Sequence, residues 1–392
     1  MSKKRFEIEL PERVVQELHL EDGDQIDIQV SNQAFKVLPS KKAQENQNQQ
    51  LSIRRFIIPS ILATVVFAFY TIWQKESLVP LTGSDSIATW VIFLGELTGM
   101  ATFIYTHIQK IRAEQTAQKR KIAIRLAPTL IFSFALIQAF VTVALFWAIG
   151  YLFQSASFDS LTATLIFFLF ISVVNYVMIY SATLVSTTFM MFLLIITIVC
   201  GVLVAMVTNS RLLWWQHNFS FLGTAKADFS WTFNATLMIA GLLWATLIDY
   251  LFVPIQSRLK KNWRLILLRT FLTFDALCLF AIGALPNDPG LLHIAHDTAA
   301  NFLILGTGLP MISIHFLLPN ASKEFNLFSL GTAAGMLLSS LLFYWVGYFS
   351  LTAFEIFVLT MGISWLLLLM QNIHELYELK DNTYAIQLKA LN

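Results

Sequence analysis

The sequence predicts an all-α polytopic membrane protein of about ten transmembrane helices, both termini cytoplasmic, with a small β-rich N-terminal domain. Three observations predict it. Of 392 residues, 56% are hydrophobic and 13% charged, whereas soluble globular chains carry about 25% charged residues. The charges are also concentrated: residues 1–50 hold 7 Lys/Arg and 9 Asp/Glu, and the other 342 residues hold 34 charges. Beyond residue 55 the chain breaks into ten mainly apolar runs. Each has roughly the 20 residues that cross ~30 Å of hydrocarbon as a helix.

The head comes first. Phe6, Ile8 and Leu10 alternate with Glu7 and Glu9, the period-two pattern of a half-buried strand. Pro11 ends it and, with Glu12, suits the first turn of a short helix whose apolar positions are Val14, Val15, Leu18 and Leu20. Asp22-Gly23 is a turn. Ile26, Ile28 and Val30 alternate again, residues 31–33 reverse the chain, and Phe35, Val37 and Leu38 return it as a hairpin. A unit of about 40 residues is too small to bury a self-sufficient core, and this one has no metal ligands, so a homodimer is expected. No apolar stretch follows the basic start, so a cleavable signal peptide is not expected and the head stays cytoplasmic. Residues 41–50, KKAQENQNQQ, read as a flexible polar tether.

The apolar runs are 56–73, 87–108, 126–150, 161–181, 185–208, 233–253, 265–285, 298–318, 327–349 and 351–370. Stretches 161–208 and 327–370 are each too long for one span and fit two joined by a tight turn. Loop charge supports the count. Arg54 and Arg55 precede the first span, the second connection carries Lys110, Arg112, Lys119, Arg120, Lys121 and Arg125, and the sixth carries Arg258, Lys260, Lys261 and Arg264. The opposite side has Lys75, Arg211 and Lys226, and loop 286–297 has no Lys or Arg. Basic loops mark the cytoplasmic face, and these two share it only if 161–208 holds two helices. The expected location is the cell membrane, multi-pass, with membrane lipid as the first partner. Gly95 and Gly99, and Gly331 and Gly335, have the GxxxG spacing that lets helices approach closely. Cys200 and Cys278 both lie in apolar runs and give neither a disulfide framework nor a zinc spacing.

Two resemblances follow from these residues. The segment IELPERVVQELHLEDGDQIDIQV resembles the swapped-hairpin domain of AbrB, SpoVT and MazE-type bacterial proteins, with Leu10-Pro11, Leu18, Leu20 and Gly23-Asp24 at the family positions. The resemblance implies an intertwined homodimer that binds DNA, here through Lys3, Lys4, Arg5 and Arg13. Two features depart from it. Ser2-Lys3-Lys4-Arg5-Phe6 replaces the usual opening segment, and the head is net acidic, whereas DNA affinity rests on Lys and Arg neutralising phosphates. A head that only dimerises is the competing reading. In the body, HNFSFLG, FNATLMIAGLLW and GALPNDPGLLHIAHDTAANF resemble a six-helix bacterial membrane family known as domain of unknown function 998. Ser220, Leu222, Gly223, Phe233, Asn234, Gly241, Gly283, Pro286 and His293 carry that match, and the family implies no activity. The resulting domains are the head at 1–40, the linker at 41–50, a four-helix module at 51–184, the six-helix module at 185–371 and a cytoplasmic tail at 372–392.

Polar residues in the body supply candidate sites. Ser220, Asp228, His293, His296 and Asp297, with His217 and Asp288, gather on the outer face between the fifth and eighth spans. His293 and His296 are three apart with Asp297 adjacent, a spacing that lets two imidazoles share a helical face. Such a set binds zinc and activates water if a distant loop adds a third ligand. The competing reading is helix capping and headgroup hydrogen bonding. His107 and His315, near inner helix ends, are axial haem ligands only if their helices touch. No metal or cofactor is predicted. Glu96 and Asp275 lie near the centres of the second and seventh spans, and Asp249 nearer the inner end of the sixth. Intramembrane acids often mark ion or proton paths. Arg269 is close enough in sequence to pair with Asp275, and residues 306–310, with Gly306, Gly308 and Pro310, are the best place for a broken helix.

Three functions fit these features. The first is a non-enzymatic, membrane-tethered regulator whose head dimerises and binds DNA while the body senses a lipid or small molecule. The second is a transporter or permease-like body with the head as an assembly module. The third is a metal-dependent membrane hydrolase.

Overall fold

The structure, a computed structural model, describes residues 5–9, 15, 26–31, 34–39, 53–74, 77–114, 117–258, 262–376 and 387–391. In chain order the elements begin with strands β1 (Arg5–Glu9), β2 (Ile26–Ser31) and β3 (Ala34–Pro39). Helix α1 (Arg54–Gln74), strand β4 (Val79–Pro80), helices α2 (Ile87–Ala113) and α3 (Ala117–Leu152), strand β5 (Ser157–Phe158) and helix α4 (Ser160–Leu184) follow. The second half holds α5 (Thr187–Thr208), α6 (Ser230–Arg258), α7 (Trp263–Ala284), α8 (Leu291–Leu317), α9 (Lys323–Tyr344) and α10 (Leu351–His374), and strand β6 (Gln387–Leu391) comes last. Ten helices among the described residues are long and apolar enough to cross a membrane, and they coincide with the ten runs read from the sequence. The chain is a multi-pass membrane protein.

The helices form here because a bilayer leaves no other partner for buried backbone groups, and their ends are set by capping side chains. Ser186 accepts from Phe189 N at 3.2 Å and starts α5; Ser350 accepts from Ala353 N at 3.2 Å and starts α10. These are the two tight joins. Asp159 caps α4 through the N–H groups of Leu161 and Thr162, both at 3.1 Å. The Thr162 hydroxyl and those amides hold the Asp159 carboxyl below its ordinary range.

Alternate connections meet on opposite faces. β4 pairs antiparallel with β5, joining the first and third connections on what we term the odd face. On the even face Lys110 Nζ donates to the carbonyls of Thr183 and Val185 at 3.0 and 3.3 Å, joining the second and fourth. This up-and-down order is the one the basic loops predict.

α6 is the central helix, with 72% of its apolar window enclosed against 22% for α1 and α9. It packs on α3, α5 and α7. One apolar core runs from Phe103 and Phe134 through Leu247 to Trp365; a second, smaller one lies among α1 to α4 around Phe67 and Phe167, whose rings stack at 4.4 Å. Polar contacts tie neighbouring helices: Ser133 with Thr246 at 2.8 Å, Asn175 to Ser60 at 2.9 Å, and Trp365 Nε1 to Ser329 at 2.8 Å. Each such bond in a membrane contributes roughly 0.6 kcal/mol. Of the first GxxxG pair, Gly95 meets Ile171 and Val174 of α4, and Gly99 makes room for Gln138 of α3, which donates to the Gly95 carbonyl. Gly335 meets Met361, whereas Gly331 has open space beside it.

The second unit comprises Met1–Arg55 and Leu379–Asn392. β2 and β3 form the expected hairpin, with Ile28 opposite Val37 and Ser31 opposite Ala34. The stretch 372–392, expected as a plain tail, carries β6, which pairs antiparallel with β1 and sets Glu7 opposite Lys389 and Ile8 opposite Leu388. The QLKAL segment alternates weakly, with Leu388 and Ala390 followed at once by Leu391, and its pattern does not distinguish it from a tail. The short helix expected after Pro11, except for Val15, and the tether at 41–50 lie outside the described residues, as do Lys3, Lys4 and Arg13; Arg5 opens β1.

Candidate functional site: a polar cap on an apolar cavity

The site is built by the fifth connection. After α5 the chain turns through three short 3₁₀ segments, Ser210–Leu212, Trp214–Gln216 and Phe219–Gly223, before α6 begins. Asn209, wholly enclosed, staples the two ends of this loop: its Nδ2 donates to the Asp228 carbonyl at 2.9 Å and its Oδ1 accepts from Asp228 N at 2.7 Å. Asn234 Nδ2 holds the Gly223 carbonyl at 2.8 Å, and Thr352 Oγ1 lies 3.1 Å from the Trp215 carbonyl. The loop is thereby pressed onto the starts of α6 and α10.

Three side chains from distant elements meet beneath it. Phe219 N–H donates to Glu355 Oε2, and Ser220 Oγ lies 3.3 Å from Glu355 Oε1. His296 Nε2 lies 3.1 Å from Ser220 Oγ, and His296 Nδ1 lies 2.7 Å from the Leu285 carbonyl. A carbonyl only accepts, so Nδ1 carries a proton. The Ser220 hydroxyl has a single proton for two acceptors. It donates to Nε2 when His296 is neutral, and to Glu355 when His296 is an imidazolium. A Ser220 hydroxyl so placed links the protonation of a carboxylate and an imidazole on different helices.

Below this cap lies an apolar cavity of about 160 Å³, walled by α5 to α10. Leu194, Leu237, Trp244 and Leu279 are among its apolar walls, and its polar lining side chains are Ser220, Glu355 and Thr307. Ile195, also in the wall, is exposed on the lipid-facing surface. Thr307 connects the cavity to Asp275, whose Oδ2 it meets at 3.1 Å. Asp275 is wholly enclosed, its Oδ1 lies against Gly306 and has no hydrogen-bond partner among the described residues.

The residues singled out in the sequence are thus divided. Ser220 and His296 converge, joined by Glu355, which the sequence reading passed over. Glu355 is the single acid in run 351–370, the same signal that selected Glu96 and Asp275. His293 and His296 do not share a partner. His293 is exposed, with Nδ1 2.5 Å from Asn287 Oδ1 and Nε2 3.4 Å from Asp297, whereas His296 is enclosed. Asp228 is exposed on the far side of the Asn209 staple, and Asp288 accepts from Ala225 N at 2.9 Å. His217 stacks on Phe221 at 4.5 Å. Among the described residues no group of three or more His, Cys, Asp and Glu is arranged to hold a metal ion. His107 is buried against Phe103 and His315 is exposed, so they do not form a haem pair.

The intramembrane acids also separate. Asp249 pairs with Arg269 at 2.6 Å, and Arg269 reaches Gln256 at 2.5 Å. Arg269 therefore serves α6 and not Asp275, because α6 and α7 run side by side. Glu96 is half-buried, with Oε2 enclosed and unpartnered among the described residues. α8 runs unbroken through Pro310, since its neighbours hold it in place where proline removes one backbone donor.

Comparison with protein-family models, curated proteins and solved structures found no match.

Proposed function

We propose that this chain is a membrane-tethered regulatory protein whose ten-span body binds an amphiphile and whose cytoplasmic, AbrB-like head forms a homodimer and binds DNA. The observation that supports the ligand-binding half is the cavity among α5 to α10, apolar along its walls and polar at the Ser220–Glu355 end. Pockets of that composition suit a molecule with a hydrocarbon body and one polar group. The even face carries the strongly basic connections and is the cytoplasmic one by the charge rule. The head half rests on the Leu10-Pro11 and Gly23-Asp24 pattern, with Lys3, Lys4, Arg5 and Arg13 as the phosphate contacts.

The cavity is tested by solvent extraction and mass spectrometry of the purified full chain. An amphiphile should be retained by the wild type and excluded by Leu237→Trp or Leu279→Trp. Retention unchanged in both variants sinks the proposal. The head is tested on the full chain, because β6 belongs with β1: DNA retardation should fall with salt and with Lys/Arg→Gln at positions 3, 4, 5 and 13.

Transport is the second reading, favoured by Asp275, an enclosed acid linked through Thr307 to the cavity wall. It predicts that Asp275→Asn abolishes proton-coupled flux in vesicles while amphiphile retention persists.

A further inference from the structure

We infer that the cavity selects amphiphiles with a protonated amine head, which docks on the carboxylate of Glu355. The inference rests on the amphiphile-binding reading above and adds the chemical class. The cavity is lined by one acid and two hydroxyl side chains and by no Lys or Arg. Glu355 is held ready: Phe219 N–H fixes one oxygen and Ser220 stands 3.3 Å from the other. A carboxylate offers about four acceptor directions, so at least two remain for a head group. His296, which can become a cation, directs its ring nitrogens toward the Leu285 carbonyl and Ser220. Residues 286–297, the seventh connection and the start of α8, have no Lys or Arg.

The proton count is consistent. An ammonium on Glu355 supplies the donors that the carboxylate needs, and the Ser220 hydroxyl turns to Nε2 of a neutral His296. An anionic head meets like charge on Glu355 in a low-dielectric site and is rejected. A neutral alcohol donates one hydrogen bond and falls between the two. The first part of the alkyl chain lies along Leu237 and Trp244, and the rest leaves the cavity beside Ile195, which is exposed.

The test uses the full chain in phosphatidylcholine nanodiscs with three probes of equal length: 12-bromododecylamine, 12-bromododecanol and 12-bromododecanoate. Bromine quenches tryptophan, and the part of the signal lost in Trp244→Phe reports the cavity. The amine should bind at least about tenfold more tightly than the carboxylate, a gap of 1.4 kcal/mol, and Glu355→Gln should bring their ratio close to one. Equal binding of all three heads, or preference for the carboxylate, overturns the inference and leaves the cavity intact. Absence of Trp244-dependent quenching by every probe overturns the cavity reading itself. The wild-type series decides the matter even if the Glu355 variant does not fold.

Discussion

Nε2 of His296 lies 3.1 Å from Oγ of Ser220, a residue 76 positions earlier, and this contact closes the odd face of the second half. His296 is almost completely removed from water and Ser220 is partly buried. His296→Leu leaves the Leu285 carbonyl short of a partner, which costs about 1–3 kcal/mol, while the Ser220 hydroxyl turns to Glu355. Ser220→Ala costs about 1 kcal/mol. A double-mutant cycle on denaturant unfolding in detergent should give a coupling of at least about 0.5 kcal/mol. Strict additivity would mean that the two side chains do not interact.

Much of the body was legible because a bilayer imposes length. The runs ending at 181 and 349 could be divided from their successors by length alone, and in the structure Ser186 and Ser350 cap the helices that follow. The site was legible only in fragments. Ser220 and His296 stood out as polar residues beside apolar runs, but their partner Glu355 lies 135 residues from Ser220, and no local pattern encodes that distance. The same limit applies to Arg269. Sequence spacing offered Asp275, while the packing of α7 on α6 delivers Asp249. The spacing of His293 and His296 suggested a shared face, yet the first two turns of α8 give one to water and the other to the protein interior.

Close helix approach makes some glycines irreplaceable and leaves others free. A Cβ on Gly241 would lie 2.7 Å from both Ala276 O and Phe280 N, and one on Gly283 would lie 2.5 Å from Asn234 O. These neighbours are backbone, so α6 and α7 must separate to admit a methyl group. Gly241→Ala and Gly283→Ala should each destabilise by about 1–3 kcal/mol. Gly331 has nothing within 4 Å of its would-be Cβ, and Gly331→Ala should be neutral or stabilise by up to ~1 kcal/mol through helix propensity. Thermal unfolding of the three variants in one detergent checks the order; equal losses at all three positions refute the packing account.

The Asp249–Arg269 pair holds α6 to α7 near the even face at 2.6 Å, with side chains 38% and 22% exposed. Removing one partner of a fully buried pair costs about 3–5 kcal/mol, and solvent at this pair reduces the expected loss to about 1–2 kcal/mol. Asp249→Asn should therefore destabilise the protein, and Arg269→Met in the same chain should recover part of the loss by removing the stranded cation. Unfolding of the single and double variants measures it. A double variant weaker than Asp249→Asn by the full single-variant cost of Arg269→Met would show that the charges act independently.

β1 and β6 bring the two chain ends together with Glu9 opposite Gln387. A chain whose ends pair must cross the membrane an even number of times between them, as ten spans do. With Cys200 and Cys278 replaced by serine, single cysteines at Glu9 and at Gln387 should label from the same side of sealed vesicles with an impermeant maleimide. Labelling from opposite sides would rule the pairing out. With both cysteines in one chain, oxidation should yield an internal disulfide and a monomer on a non-reducing gel. A covalent dimer instead would place β6 on the β1 of a second copy, an exchange that the proposed swapped-hairpin head would permit. Deleting 387–391 should leave the β1 edge unpaired, and self-association of the truncated chain, read by light scattering, should rise relative to the full chain.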